Sequence, residues 1–210
     1  MSPHGHAVGV LPGHRDGTWD TLRAAVPSAV ARHGIEQVGL EQIAEVACVG
    51  MRRARDRVGG DDALGLIGSA YLASAGGLQR GFQRAGLDAP NAREGLRHAV
   101  GWLLNTLADD PARAAFCYVE IVRGARPLVT LREQIRRGSV GFWSSQHQRS
   151  VPGQGLPLEH FELVNSATIS LIVTRTAQGR TDELRDLPDA VMALVEPGEG
   201  PIPKLSVVRC

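Results

Sequence analysis

Residues 40–64 constrain the fold more than any other stretch of this chain. Leu40, Ile43, Ala44 and Ala47 recur at i, i+3, i+4 and i+7, the apolar stripe of one short helix. Cys48-Val49-Gly50 breaks the stripe, and Gly50 is expected to permit a tight turn. A basic segment follows, with four arginines in six residues: Arg52, Arg53, Arg55 and Arg57. Gly59-Gly60 ends it, and Asp61-Asp62 puts negative charge at the positive dipole end of the next helix. A short helix, a tight turn and a basic helix together predict a helix-turn-helix, whose second helix enters the major groove of DNA.

Composition sets the frame for that reading. The 210 residues are enough for one or two domains with a sizeable core. With 43% hydrophobic and 21% charged residues, the chain belongs with globular rather than disordered sequences. Its net charge is only +1, so any nucleic-acid contact must come from local clustering, as at 52–57. Cys48, Cys117 and Cys210 form no paired framework and no metal-ligand spacing, which fits a reducing cytoplasm. No run is long enough to span a membrane, and the N-terminus shows no secretory pattern.

The rest of the chain reads as helices throughout, an all-α fold. Residues 1–17 lack periodicity and are expected to form a disordered arm. Its His4, His6 and His14 lack a carboxylate or cysteine at useful spacing, so solvation is expected there rather than metal binding. A first helix is predicted over 18–33, with Pro27 inside it and Gly34 closing it; Gly39 takes the cap position of the second. The fourth helix is predicted over 61–84 and the fifth over 91–108. Asp110-Pro111 then caps a sixth over 111–122, and a seventh runs to residue 149. After a loop at 150–157, the last two helices are expected over 158–178 and 183–195, with Pro188 as an alternative start for the latter. The helix at 158–178 is apolar nearly all round, so it needs a partner on each face, one of them a second subunit. The division that follows is an arm at 1–17, a helix-turn-helix domain at 18–60, a larger helical domain at 61–196 and a flexible tail at 197–210.

From residue 22 to residue 64 the sequence resembles the DNA-binding domain of TetR-type bacterial regulators. The resemblance rests on a helix ending at Gly34, on Ile35 after it, on Ile43-Ala44-Glu45-Val46-Ala47-Cys48-Val49-Gly50, and on Gly59-Gly60-Asp61-Asp62-Ala63-Leu64. The spacing from Gly34 to Leu64 matches without a gap. The basic helix departs from the family pattern: Arg55 stands where a tyrosine is usual, Val58 replaces an aromatic anchor, and Asp61 sits where lysine or proline is common. The resemblance implies a homodimeric, DNA-binding repressor released by a small effector. It also implies a long fourth helix joining the two domains and a four-helix bundle formed by the last two helices of each copy.

No catalytic constellation is present: there is no G-x-S-x-G elbow, no phosphate-cradling glycine loop and no Cys-x-x-Cys pair, so neither an enzyme nor a cofactor is expected. Cys117 is expected to be a structural cysteine. TetR-type proteins hold effectors among the helices where this chain's aromatics gather. Trp102, Phe116, Tyr118, Glu120 and Trp143 are therefore expected to line a pocket. The alternative is that the aromatics are core and Glu120 is solvated or pairs with Arg123. Arg52 and Arg53, nearest the helix start, are expected at base edges, and Arg55 and Arg57 at phosphates of double-stranded operator DNA. A rival reading keeps the fold but makes the chain a ligand- or protein-binding dimer with weakened DNA recognition, on the evidence of Arg55, Val58 and Asp61.

Overall fold

The computed structural model describes residues 17–87, 89–150 and 156–195. The arm before Gly17, with His4, His6 and His14, lies outside the described residues, as do most of the loop at 150–157 and the tail at 197–210. All described elements are helical: α1 Thr18–His33, α2 Leu40–Val46, α3 Met51–Val58, α4 Leu64–Leu87, α5 Ala92–Asp109 and α6 Pro111–Ala114. A wide π-helical turn, Ala115–Val119, and a tight 3-10 turn, Glu120–Arg123, continue α6. Then come α7 Arg126–Ser150, α8 Leu158–Ala177, a 3-10 turn Thr181–Asp186, and α9 Pro188–Val195.

The first three helices form a tripod. α1 buries Leu22, Val26, Ala29 and Val30 and packs against α2, α3 and α4. It ends at Gly34, whose backbone lies at φ 76° and ψ 151°, a region essentially restricted to glycine. The Gly34 N–H donates to Val30 O at 2.8 Å, and the chain turns into α2. Gly39 caps α2 with its own N–H donating to Gln42 Oε1 at 2.9 Å.

The turn between α2 and α3 differs from expectation. Gly50 has φ −61° and ψ 138°, extended backbone open to any residue. The left-handed residue is Cys48, at φ 53°. Its position lets Val49 N donate to Ala44 O at 2.9 Å and close the turn. Left-handed backbone costs an L-residue roughly 1–2 kcal/mol. Glycine would remove that cost and give back about 0.5–1 kcal/mol through its larger unfolded-state entropy. The Cys48 side chain is exposed, so its removal sacrifices no packing. Cys48→Gly is expected to stabilise the fold by about 0.5–1 kcal/mol, seen as a higher urea midpoint at unchanged slope. A lowered midpoint would mean that the side chain makes interactions outweighing the strain.

α4 starts three residues later than expected, at Leu64. Asp62 Oδ1 accepts from Leu64 N at 2.9 Å and leads into it, while Asp61 turns back to Arg55. α4 packs on α1, α5 and α7. α5 opens on Asn91, whose Oδ1 accepts from Glu94 N at 2.9 Å. Asp110 Oδ1 accepts from Arg113 N at 3.0 Å, with Pro111 in the first turn of α6. The single helix expected over 111–122 is instead wound three ways, α, then π, then 3-10. The last helix begins at Pro188, after the 3-10 turn. α8 buries Phe161, Val164 and Ile172 but leaves Leu163 71% exposed, so its apolar surface is only partly covered within one chain.

Candidate functional site

Two features concentrate chemistry. The first is α3. Its inner face is anchored by fully buried Ala54, with Met51 and Val58 packed partly against the core. That anchoring turns Arg52, Arg53 and Arg55 outward, all exposed, and leaves Arg57 half-buried. Arg53 and Arg57 also interact with other groups of the chain. Arg55 Nε lies 2.6 Å from Asp61 Oδ1, an exposed ion pair that raises the Arg55 pKa.

The second feature is a cavity of about 750 Å3, its open mouth included, between α4, α7 and α8. Tyr71, Leu78, Gln79 and Phe82 reach it from α4, at the i, i+7, i+8 and i+11 spacing of one helix face. Arg132, Ile135, Arg136, Ser139 and Trp143 do so from α7, and Asn165, Thr168, Ile169 and Ile172 from α8. Cys117 and Tyr118 of the π-helical turn complete one side. Wide turns of this kind often occur at functional sites. Burial pushes the Cys117 thiol up to about 12, so it stays protonated and poorly nucleophilic. Burial likewise pushes the Tyr71 and Tyr118 hydroxyls up, leaving both as neutral donors.

The polar groups of the cavity are unequally satisfied. Arg136 pairs with Glu133 at 2.8 Å and lies 3.7 Å from Glu162; the Arg136 hydrogen bond holds the Glu133 carboxyl down at about 2. Arg132 has no carboxylate partner among the described residues. Asn165 is 5% exposed, and its Nδ2 has no hydrogen-bond partner among them.

Solved structures share this architecture over most of the chain. The fatty acid degradation regulator FadR from Bacillus halodurans superposes with a TM-score of 0.73 at 16% identity, over 85% of this chain and 98% of that one. The regulator FadR from Bacillus subtilis, solved in complex with stearoyl-CoA, gives 0.71 at 16% identity, over 85% and 97%. The TetR-family regulator PfmR from Thermus thermophilus gives 0.66 at 13% identity, over 86% and 99%. This chain has the TetR-type regulator fold. No family model matches the sequence, and no curated protein matches it.

Within the TetR-type fold, the five residues expected to line a pocket separate. Tyr118 and Trp143 line the cavity. Phe116 is fully buried elsewhere, meeting Tyr71 edge-on at 6.1 Å between ring centres. Trp102 lies over Gly81, its indole filling the space that a Cβ there would need. Glu120 turns away from the cavity: its Oε2 accepts from Ile35 N at 3.1 Å, and Arg123 lies 3.6 Å from Oε1. The reason is the winding after α6, in which the π-helical turn presents Cys117 and Tyr118 to the cavity and the 3-10 turn carries Glu120 to the end of α1.

Glu120 therefore fastens the α1–α2 connection to the body behind it. Glu120→Ala is expected to destabilise the chain by about 1.5–3 kcal/mol, the size of a hydrogen bond to a charged group. Ligand affinity at the cavity is expected to stay unchanged. Urea unfolding paired with calorimetric titration checks both; lower affinity with unchanged stability would return Glu120 to the cavity.

Sequence reasoning missed Arg132, Arg136 and Asn165. The available signal was a polar residue repeating on an otherwise apolar helix face: Arg132 and Arg136 share a stripe with Ile135 and Trp143, and Asn165 shares one with Thr168 and Ile172.

Proposed function

We propose that the chain is a ligand-responsive, DNA-binding transcriptional regulator, a repressor released by a small molecule. One arrangement carries this reading: an exposed arginine surface on α3 and an apolar-walled cavity are linked by α4, which both packs on α1 and lines the cavity. The proposed division is a DNA-reading part at 18–60 and an effector-binding part at 61–196. Arg52 and Arg53 are assigned to base edges, Arg55 and Arg57 to phosphates. The stearoyl-CoA complex of the Bacillus subtilis protein supports a small-molecule effector. No catalytic role is assigned to the cavity residues.

Two copies would form the working unit. Leu163, with Ser166, Ala167, Ser170, Leu171 and Thr174, recurs along α8 at spacings that keep one face, and Leu163 is the exposed leucine among them. Small residues and leucine on one face suit close packing against the same face of a second copy. Two recognition helices would then meet half-sites about one DNA turn apart, ~34–36 Å. An effector shifts this spacing only by binding one arrangement more tightly than the other.

The Arg55–Asp61 pair favours a second reading, a dimer of this fold with weakened DNA recognition, because Asp61 occupies an arginine that would otherwise face phosphate and adds a repelling charge. Repeated selection from a pool of random duplexes with the purified protein separates the two. Enrichment of a palindrome with half-sites one turn apart is the expected result. A pool that stays random after successive rounds would favour the second reading.

A further inference from the structure

We infer that the cavity takes an amphiphile with an aliphatic body and an anionic head, the head seated against Arg132. This rests on the cavity being the effector site and names the chemistry of what enters it. The body of the ligand follows from Leu78, Phe82, Ile135, Trp143, Ile169 and Ile172, which give the cavity long apolar walls.

The head follows from the sign of the polar groups. Among the described residues, no aspartate or glutamate lines the cavity. The charged groups of the lining are two guanidiniums; the Asn165 amide and two tyrosine hydroxyls held neutral by burial add donors, beside the uncharged Gln79, Ser139 and Thr168. Arg136 is already engaged by Glu133 and Glu162, whereas Arg132 lacks a carboxylate among the described residues. Asn165 Nδ2 is buried with no acceptor among them, an arrangement that costs free energy until an acceptor arrives. An anionic oxygen pair answers both: a guanidinium grips it through parallel N–H bonds, and a buried amide donor adds a further bond. A cationic ligand would meet the Arg132 guanidinium with no carboxylate in the lining to offset it, and a purely apolar one would leave Asn165 unsatisfied.

Calorimetry on the full chain without DNA tests this with four ten-carbon probes: decanoate, decyl phosphate, decanol and decylammonium. At least one anion is expected to bind roughly tenfold or more tightly than decanol, as a charge-assisted hydrogen bond implies. Decylammonium is expected to bind more weakly than decanol. In Arg132→Gln the anion's advantage should collapse while decanol affinity holds, which also shows that the cavity remains folded; Arg132→Lys should retain part of the advantage. The tighter of the two anions identifies the head group. Equal binding of anions and decanol, binding of decylammonium as tight as the anions, or an advantage that survives Arg132→Gln would overturn the inference. Duplex selection is independent of these titrations. Its failure with the anion preference intact would remove the regulator reading alone, and the converse would remove this inference alone.

Discussion

Replacing Gly95 with alanine is expected to destabilise the chain by about 1–3 kcal/mol, toward the upper end of the range for overpacking. A Cβ on Gly95 would stand 2.3 Å from the carbonyl oxygen of Gly86 and 3.3 Å from its carbon. α5 and α4 touch backbone to backbone there. A backbone atom cannot swing aside as a side-chain tip can, so the two helices must separate. Separation would loosen the packing of Phe82, which lines the cavity and meets Trp143 at 5.4 Å between ring centres. For a chain of this size each kcal/mol lowers the melting temperature by ~2–4 °C. Gly101 on the same helix provides the control: beyond its own helical turn, no atom of the described residues lies within 4 Å of a Cβ placed there. Gly101→Ala should stabilise by about 0.5–1 kcal/mol through helix propensity alone. Opposite signs for one substitution at two sites on one helix are the predicted thermal-unfolding result. Equal effects would mean that α4 and α5 can separate there without cost.

Arg53→Ala is expected to weaken binding to the selected duplex by about 1–3 kcal/mol while changing scrambled DNA much less. Arg53 lies in the first turn of α3, on its exposed surface, where a helix-turn-helix reads base edges. Arg57, in the last turn and half-buried, is the residue proposed at phosphate. Arg57→Ala is expected to weaken all duplexes alike and to reduce the salt slope by about 0.9, the share of a single neutralised phosphate. Anisotropy titrations of both variants on both duplexes read the difference. An equal drop in affinity on every duplex for both variants would overturn this division of roles.

The fold was legible wherever punctuation is local. α1 occupies 18–33 as the periodicity and Gly34 predict, and Asn91, Asp110 and Pro111 open helices where their side chains satisfy free N–H groups or need none. The turn at Cys48 was legible as a turn, but its left-handed residue was assigned to the nearest glycine. Conformation there is set by closure of the Val49 N–Ala44 O bond rather than by residue preference. The π-helical turn left no mark, because one extra residue shifts the phase of a short apolar run by less than the pattern can resolve. Glu120 consequently pointed the wrong way. The cavity was half legible: Tyr118 and Trp143 were found by looking for aromatics, and Arg132 and Asn165 were missed. A polar side chain on a helix usually marks the solvated face, and only the packing of α4, α7 and α8 turns these two inward.

The most direct test of the central claim is fluorescence anisotropy of the purified protein on duplex DNA from upstream of its own gene, against a scrambled duplex, at two salt concentrations. Tight binding to the upstream duplex, weak binding to the scrambled one, and affinity that falls steeply with salt are predicted for an arginine helix reading DNA. Weak binding, equal on both duplexes at either salt concentration, would contradict it and leave the cavity as the main site of function.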